Sequence, residues 1–124
     1  MPINDEGATF HYSLAGTNTP TQVQPSPVTL YQLNVTNIGA VTGYLQVYNN
    51  GSADLGAGTP DFVIPVPPNV ATSSGTVGYR PLDFGSNGLK LSGGLSYLWA
   101  AGATGTVAIA TNASVFAVYK GTAI

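Results

Sequence analysis

The stretch that decides the fold is VTLYQLNVTNIGAVTGYLQVYNN, residues 28–50. In its first part Tyr31, Leu33 and Val35 alternate with polar residues, as expected of a strand with one buried face. A TNIG turn follows. A second alternating run, GYLQVY, then ends at two asparagines and a glycine, which accept turn conformations at low cost. The stretch therefore predicts two strands joined as a β-hairpin.

Similar runs recur along the rest of the chain. The 16 Gly and 9 Pro separate short segments rich in Val, Thr, Tyr, Leu and Phe, and they interrupt every window of helical spacing. Pro65 in DFVIPVPPN removes a backbone donor, which places that run at an edge or an end. The spacing predicts an all-β protein, a two-sheet antiparallel β-sandwich of about eight short strands. Jelly-roll and immunoglobulin-like topologies both remain open.

Three later runs are further candidates for strands. In LSYLWA, the side chains of Leu95, Tyr97 and Trp99 share one side. TVAIA, residues 106–110, and ASVFAVYK, residues 113–120, are predicted to form a last hairpin.

The first 27 residues differ from the rest. They contain Pro20, Pro25 and Pro27 and one short alternating patch that includes Phe10 and Tyr12. We predict an extended N-terminal arm and linker over residues 1–27 and a β-sandwich domain over residues 28–124. Such an arm either lies on a neighbouring molecule or frays in solution.

Charged residues are scarce. The 124 residues include three Lys/Arg and five Asp/Glu, with a net charge of −2 and no cysteine. A chain of this size buries about two thirds of its surface on folding, which is enough for one core. Without a basic field for phosphates or a polybasic patch for lipids, we expect no nucleic acid and no membrane partner. The first ten residues lack the pattern of a signal peptide, which predicts folding in a cytoplasm.

The supply of catalytic side chains is equally small. His11 is the single histidine, and no G-x-S-x-G sequence is present to expose a serine nucleophile. We expect His11 to lie on a strand face. We therefore predict no catalytic residue and no enzyme.

One polar loop has the spacing of a calcium site. Asn50, Ser52 and Asp54 alternate, and Asp61 is the twelfth residue counted from Asn50. Leu55 stands where a calcium loop needs glycine, and the flanking runs are strands rather than helices. We therefore expect an ordinary loop between strands, with neither a metal nor a cofactor.

Tyr44, Gln46 and Tyr48 share one face of their run, opposite Leu45 and Val47. Aromatic residues beside an amide suit stacking on sugar rings or the centre of a protein interface. They equally suit a buried face of a second sheet.

The exterior must be solvated by groups other than charges. The chain has 14 Thr, 9 Ser and 9 Asn, so hydroxyls and amides take that place. A neutral surface of this kind lacks charge repulsion between molecules and favours permanent association by shape and apolar contact.

Four stretches between Val28 and Lys120 carry a family resemblance: VTNIGAVTGYLQVYNN, GTPDFVIPVPPN, RPLDFGSNGLKLSGGLSYLW and SVFAVYK. Their order resembles that of small β-sandwich structural proteins of tailed bacteriophages, in particular capsid decoration or cement proteins. The resemblance implies a virion protein at the capsid surface, assembled in the host cytoplasm. Such a protein bridges neighbouring subunits of the major capsid protein, forms homo-oligomers with copies of itself and has no catalytic residues.

Within this interpretation we predict partner contacts at Phe10 and Tyr12 of the arm and at Tyr44, Gln46 and Tyr48. An alternative is a tail or head-fibre component that binds host-surface glycans through the tyrosines. A hydrolase ranks last, because it would need two carboxylates about 5–10 Å apart and the spacing suggests none.

Overall fold

The computed structural model describes residues 9–13, 21–39, 41–50, 60–68, 71–72, 75–76, 78–103 and 113–121. All regular secondary structure within these ranges is β-strand. In chain order the strands are β1 (Thr9–Ser13), β2 (Thr21–Gln24), β3 (Val28–Asn37), β4 (Gly43–Tyr48), β5 (Phe62–Val66), β6 (Ala71–Thr72), β7 (Gly75–Thr76), β8 (Tyr79–Asp83), β9 (Leu89–Leu91), β10 (Leu95–Ala100) and β11 (Ala113–Gly121).

The strands form two main antiparallel sheets. The first sheet has the order β1-β11-β3, with β8 and β9 one after the other along the remaining side of β3. The second sheet has the order β2-β10-β4-β5, and β6 and β7 form a separate two-stranded ladder. Because β8 and β9 share one position, the described strands fill four positions in each main sheet. This confirms the predicted two-sheet antiparallel sandwich of about eight strands.

The strand pairing is nested along the chain. β1 pairs with β11, β2 with β10, β3 with β8 and β9, and β4 with β5. The chain is thus one long antiparallel hairpin, rolled up so that β11 also lies beside β3 and β10 beside β4. This is the jelly-roll arrangement. It is not immunoglobulin-like, because there the first two strands share a sheet and here β1 and β2 lie in different sheets.

β3 and β4 do not form the hairpin that the sequence predicts. They belong to different sheets and pair with other strands. The reason is packing, since Leu33 and Val35 of β3 and Leu45 and Val47 of β4 all enter one core between the sheets. The alternation correctly indicates that Leu33 and Val35 share a core face, but it is wrong for Tyr31, which stands at a register shift of β3 and outside the core. The faces of β3 and β4 meet across the core instead of lying side by side.

The core is closed around Trp99. Leu95, Tyr97 and Trp99 all belong to it, as their shared side predicts, and Trp99 is fully buried. Gly43 packs against the indole, because a Cβ at that position would collide with ring atoms of Trp99. A side chain at residue 43 would force the ring to move, and such overpacking costs about 1–3 kcal/mol.

Residues 1–27 contribute two strands to the sandwich. β1 and β2 each form one edge of a sheet in the described chain, so the arm-and-linker prediction needs correction there. The short alternating patch predicted in the arm pairs with β11. β11 itself pairs with β1 and β3, and its predicted hairpin partner at residues 106–110 lies outside the described residues. The edge position predicted from Pro65 is confirmed, because β5 ends the second sheet.

Candidate functional site

The face of β4 that carries Tyr44, Gln46 and Tyr48 points away from the core. Leu45 and Val47, which alternate with them, fill the core. Gln46 is nevertheless fully buried and Tyr48 is only 4% exposed, while Tyr44 is half-buried. The prediction of partner contacts at Gln46 and Tyr48 therefore needs correction, because in the isolated chain these two side chains are already covered.

Two hydrogen bonds close this outer face of the second sheet. Tyr48 Oη donates to Gln46 Oε1 over 2.6 Å, and Gln46 Nε2 donates to the carbonyl oxygen of Gly102 over 3.0 Å. Leu98 of β10 pairs with Gln46 and is fully buried on the same face. The chain just beyond β10 thus covers a face that sheet alternation alone would leave open.

A second set of hydrogen bonds ties together the ends of β4, β5 and β10. Ser96 Oγ donates to the carbonyl oxygen of Asn50 over 2.6 Å. The backbone amide of Asn49 donates to Asp61 Oδ2 over 2.6 Å, and the amide of Gly93 donates to Asn49 Oδ1 over 2.6 Å. The chain that leaves β4 is thereby held against the second sheet.

Burial and Asp61 together shift the pKa of Tyr48 on this face. Burial raises the pKa of the Tyr48 hydroxyl above its ordinary value, and the negative charge of Asp61 raises it further. Tyr48 therefore keeps its proton as the donor to Gln46.

Neither metal ligands nor a membrane span is found in the part of the chain that the structure describes. Within it, no group of three or more His, Cys, Asp or Glu comes together, and no helix is long and apolar enough to cross a membrane. Two residues of the calcium-like spacing, Ser52 and Asp54, lie outside the described residues.

The outer face of the first sheet contains the positions of Phe10 and Tyr12. The register gives two rows of directly paired residues: Phe10, Val118, Gln32 and Asp83 in one, and Tyr12, Phe116, Asn34 and Pro81 in the other. Directly paired residues share a face. Gln32, Asn34 and Phe116 are half-buried, so this face is more open than its counterpart on the second sheet. His11 pairs with Ala117 and so occupies a strand position, as expected.

Three exposed hydrophobic residues, here called the apolar patch, lie at one end of the sandwich. Ile38, Val41 and Tyr79 are 52%, 49% and 54% exposed. The backbone amide of Asn37 donates to the carbonyl oxygen of Gly78, next to Tyr79, over 2.7 Å. Asn37 Nδ2 donates to the carbonyl oxygen of Val41 over 2.7 Å. Asn37 thus brings the three residues to the same end.

The loop that carries Ile38 and Val41 is fixed to the second sheet. Asn37 is fully buried, its Nδ2 also donates to the carbonyl oxygen of Val66 over 3.2 Å, and its Oδ1 accepts from the amide of Gly39 over 2.9 Å. The patch is not among the contact residues predicted from the sequence. Its signal is the pair of large apolar residues, Ile38 and Val41, in a turn where polar residues usually predominate.

Solved structures similar to this chain include two of the Tobacco streak virus coat protein. No protein-family model matches the sequence, and no curated protein matches it. The coat protein dimer has a TM-score of 0.46 and 12% identity, and the match covers 100% of this chain and 90% of that chain. A second crystal form has a TM-score of 0.43 and 10% identity, with 99% and 89% covered. A similarity at this level carries no argument about function.

Proposed function

We propose that this jelly-roll protein is a structural protein of a virion, and more specifically a capsid decoration or cement protein of a tailed bacteriophage. It lies at the capsid surface, bridges neighbouring subunits of the major capsid protein, and is assembled in the host cytoplasm. The observation that carries the proposal is the apolar patch, two of whose residues stand on a loop hydrogen-bonded to Asn37, in a chain with 6% charged residues. The family resemblance of four sequence stretches supports the finer assignment.

The apolar patch has the properties of an interface centre. Interface cores are depleted in charged residues and enriched in aromatic and large apolar ones, and a few such residues supply most of the binding energy. Ile38, Val41 and Tyr79 are exposed. Asn37 orders the loop that presents Ile38 and Val41, and Tyr79 stands in β8, so little conformational entropy is lost on binding. The patch therefore suits a permanent contact with another protein.

The scarcity of charge supports the same conclusion. Charged residues make up 6% of the chain, so long-range attraction contributes little to its encounters. Such a protein docks by shape and apolar contact, and its binding tolerates salt. A scaffold that acts only by contact needs no catalytic residues, and we assign no enzymatic activity to it.

The tyrosine face of β4 is a poor site for the glycan-binding alternative. Gln46 and Tyr48 are buried and hydrogen-bonded to each other, so the tyrosine face cannot stack on a sugar without opening. Tyr44, a third member of the tyrosine face, is half-buried. The remaining two predicted contact residues, Phe10 and Tyr12, are proposed below to lie at a contact between copies of the chain.

The test is rebinding of the purified protein to particles of the encoding virus from which it has been removed. We expect saturable binding in many copies per particle, changed less than about threefold between about 0.05 and 0.5 M salt. Ile38→Asp or Tyr79→Asp should weaken binding at least about tenfold, because a central contact contributes about 2 kcal/mol or more. Ser92→Asp is the control, since it adds the same charge at an exposed turn after β9. Wild-type protein that does not bind, or that binds equally after all three substitutions, contradicts the proposal.

A further inference from the structure

The two sides of the sandwich end in different kinds of edge strand. On one side the edges are β5 in the second sheet and β8 with β9 in the first, and Arg80 Nε donates to the carbonyl oxygen of Pro65 over 3.2 Å between them. These strands contain Pro65 and Pro81, and β9 carries exposed Lys90. Proline and charge are the devices that prevent another strand from pairing with an edge.

The opposite side carries no such protection. The edges there are β1, with sequence TFHYS, and β2, with sequence TQVQ, and neither contains a proline or a Lys, Arg, Asp or Glu. β2 is four residues long and its register shifts between Leu95 and Ser96, so it is a short and irregular template. β1 pairs with β11 from Thr9 to Ser13 without a shift in register. Among the described edge strands of the two main sheets, β1 is the one with a regular register and no protective residue.

We propose that β1 pairs in antiparallel orientation with β1 of a second copy, about a two-fold axis at His11. This register places Phe10 opposite the partner's Tyr12 and Thr9 opposite the partner's Ser13. Aromatic pairs and Thr–Ser pairs are among the cross-strand pairs that stabilise a sheet. The strand is thus complementary to itself, which is the condition for an isologous dimer.

In the proposed dimer the first sheets of the two copies join into one continuous sheet. Phe10 lies in one row with Val118 and Tyr12 in one row with Phe116, so the joined sheets carry apolar residues across the axis in both rows. No charge lies in β1 to oppose the approach of an identical strand. The dimer requires only this chain, so it forms whether or not the protein belongs to a virion.

Cysteine mapping tests the register in a chain that has no natural cysteine. Directly opposite residues of an antiparallel pair have Cα atoms about 4.5–5.5 Å apart, which a disulfide can span. His11→Cys should therefore give a covalent dimer on mild oxidation. Thr9→Cys alone and Ser13→Cys alone should not, because each pairs with a different residue and the like cysteines lie about 13 Å apart. The double variant Thr9→Cys/Ser13→Cys should cross-link again.

Charge exchange tests the same contact without a covalent bond. Phe10→Glu/Tyr12→Glu and Phe10→Lys/Tyr12→Lys should each sediment as monomers, because like charges then lie opposite each other. An equimolar mixture of the two should sediment as a dimer. Gln32→Glu/Thr36→Glu on β3 is the matched control, since it adds two charges to the same sheet away from the edge and should leave the dimer intact. Urea unfolding of each variant confirms that it is folded.

Three results would overturn the pairing. They are a wild-type protein that stays monomeric up to about 1 mM, a dimer that survives both like-charge variants, and cross-linking through Thr9→Cys alone in place of His11→Cys. None of them depends on binding to particles, so the dimer and the virion role can fail separately.

Discussion

The two outer faces of the sandwich show the same alternation of residues along their strands, but they differ in how deeply their side chains are buried. On the second sheet, Gln46 and Leu98 point away from the core and are fully buried. On the first sheet, Gln32 and Asn34 occupy central positions of the outer face and are half-buried. The difference is the chain segment beyond β10, which reaches Gln46 through Gly102 on one face.

Covering the second sheet has a chemical requirement. A buried amide costs free energy unless both its oxygen and its nitrogen are hydrogen-bonded. Both groups of Gln46 are hydrogen-bonded: its oxygen accepts from the hydroxyl of Tyr48, and its nitrogen donates to the carbonyl oxygen of Gly102. In the described residues no buried side-chain nitrogen or oxygen lacks a partner. A strand face that points away from the core and carries polar residues can therefore still be fully buried, so that substitutions on it cost as much free energy of unfolding as substitutions in the core.

The largest expected effect is at Leu98. Truncation of a fully buried leucine costs 2–5 kcal/mol, so Leu98→Ala should lower the free energy of unfolding by about 3 kcal/mol, although Leu98 lies outside the main core. Urea denaturation measures the change. Asn34→Ala is the control at a central position of the other outer face, where we expect a change within about 0.5 kcal/mol. Equal losses in the two variants would mean that the faces do not differ.

Gln46→Leu should cost about 2 kcal/mol. It keeps the volume of the side chain but leaves Tyr48 Oη without its acceptor and the carbonyl oxygen of Gly102 without its donor. Gln32→Leu makes the same chemical change on the first sheet and should have an effect below about 0.5 kcal/mol. Denaturant unfolding of both variants gives the comparison.

The double variant Gln46→Leu/Tyr48→Phe sharpens this result. Removing both partners of a buried hydrogen bond costs less than removing one, so the double variant should be more stable than Gln46→Leu alone. If the two substitutions simply add, the hydrogen bond between Gln46 and Tyr48 does not carry the stability of this face.

The strands could be predicted from sequence because their signal is local. The side shared by Leu95, Tyr97 and Trp99 is visible within six residues. The pairing of strands was not visible, because it depends on contacts such as Thr9 with Tyr119 at opposite ends of the chain. The error at β3 and β4 has this origin. A short turn between alternating runs is compatible with a hairpin and also with a crossing between two sheets.

The candidate surfaces show the same limit. The alternation of Tyr44, Gln46 and Tyr48 correctly predicts their common face, but the partner of the buried Gln46 amide nitrogen is the carbonyl oxygen of Gly102, 56 residues away. The apolar patch depends on Asn37, whose side chain reaches Val66, 29 residues away. Burial of a face and exposure of a turn are both decided by distant segments, which no local pattern contains.

The smallest expected effect is a pH dependence of stability that comes from Tyr48. Burial, and then Asp61, raises the pKa of Tyr48 in the folded chain, so above about pH 10 the unfolded chain loses this proton while the folded chain keeps it. The stabilising contribution is therefore complete below the unfolded pKa and is lost as pH rises through the folded pKa. Its slope cannot exceed about 1.4 kcal/mol per pH unit for one group. Tyr48→Phe should remove this part of the alkaline loss in denaturant unfolding between about pH 9 and pH 11, whereas Tyr79→Phe should retain it. If the free energy of unfolding of wild type and of Tyr48→Phe falls in parallel with pH, the hydroxyl of Tyr48 ionises as readily in the folded chain as in the unfolded chain. The outer face of the second sheet would then be open to solvent.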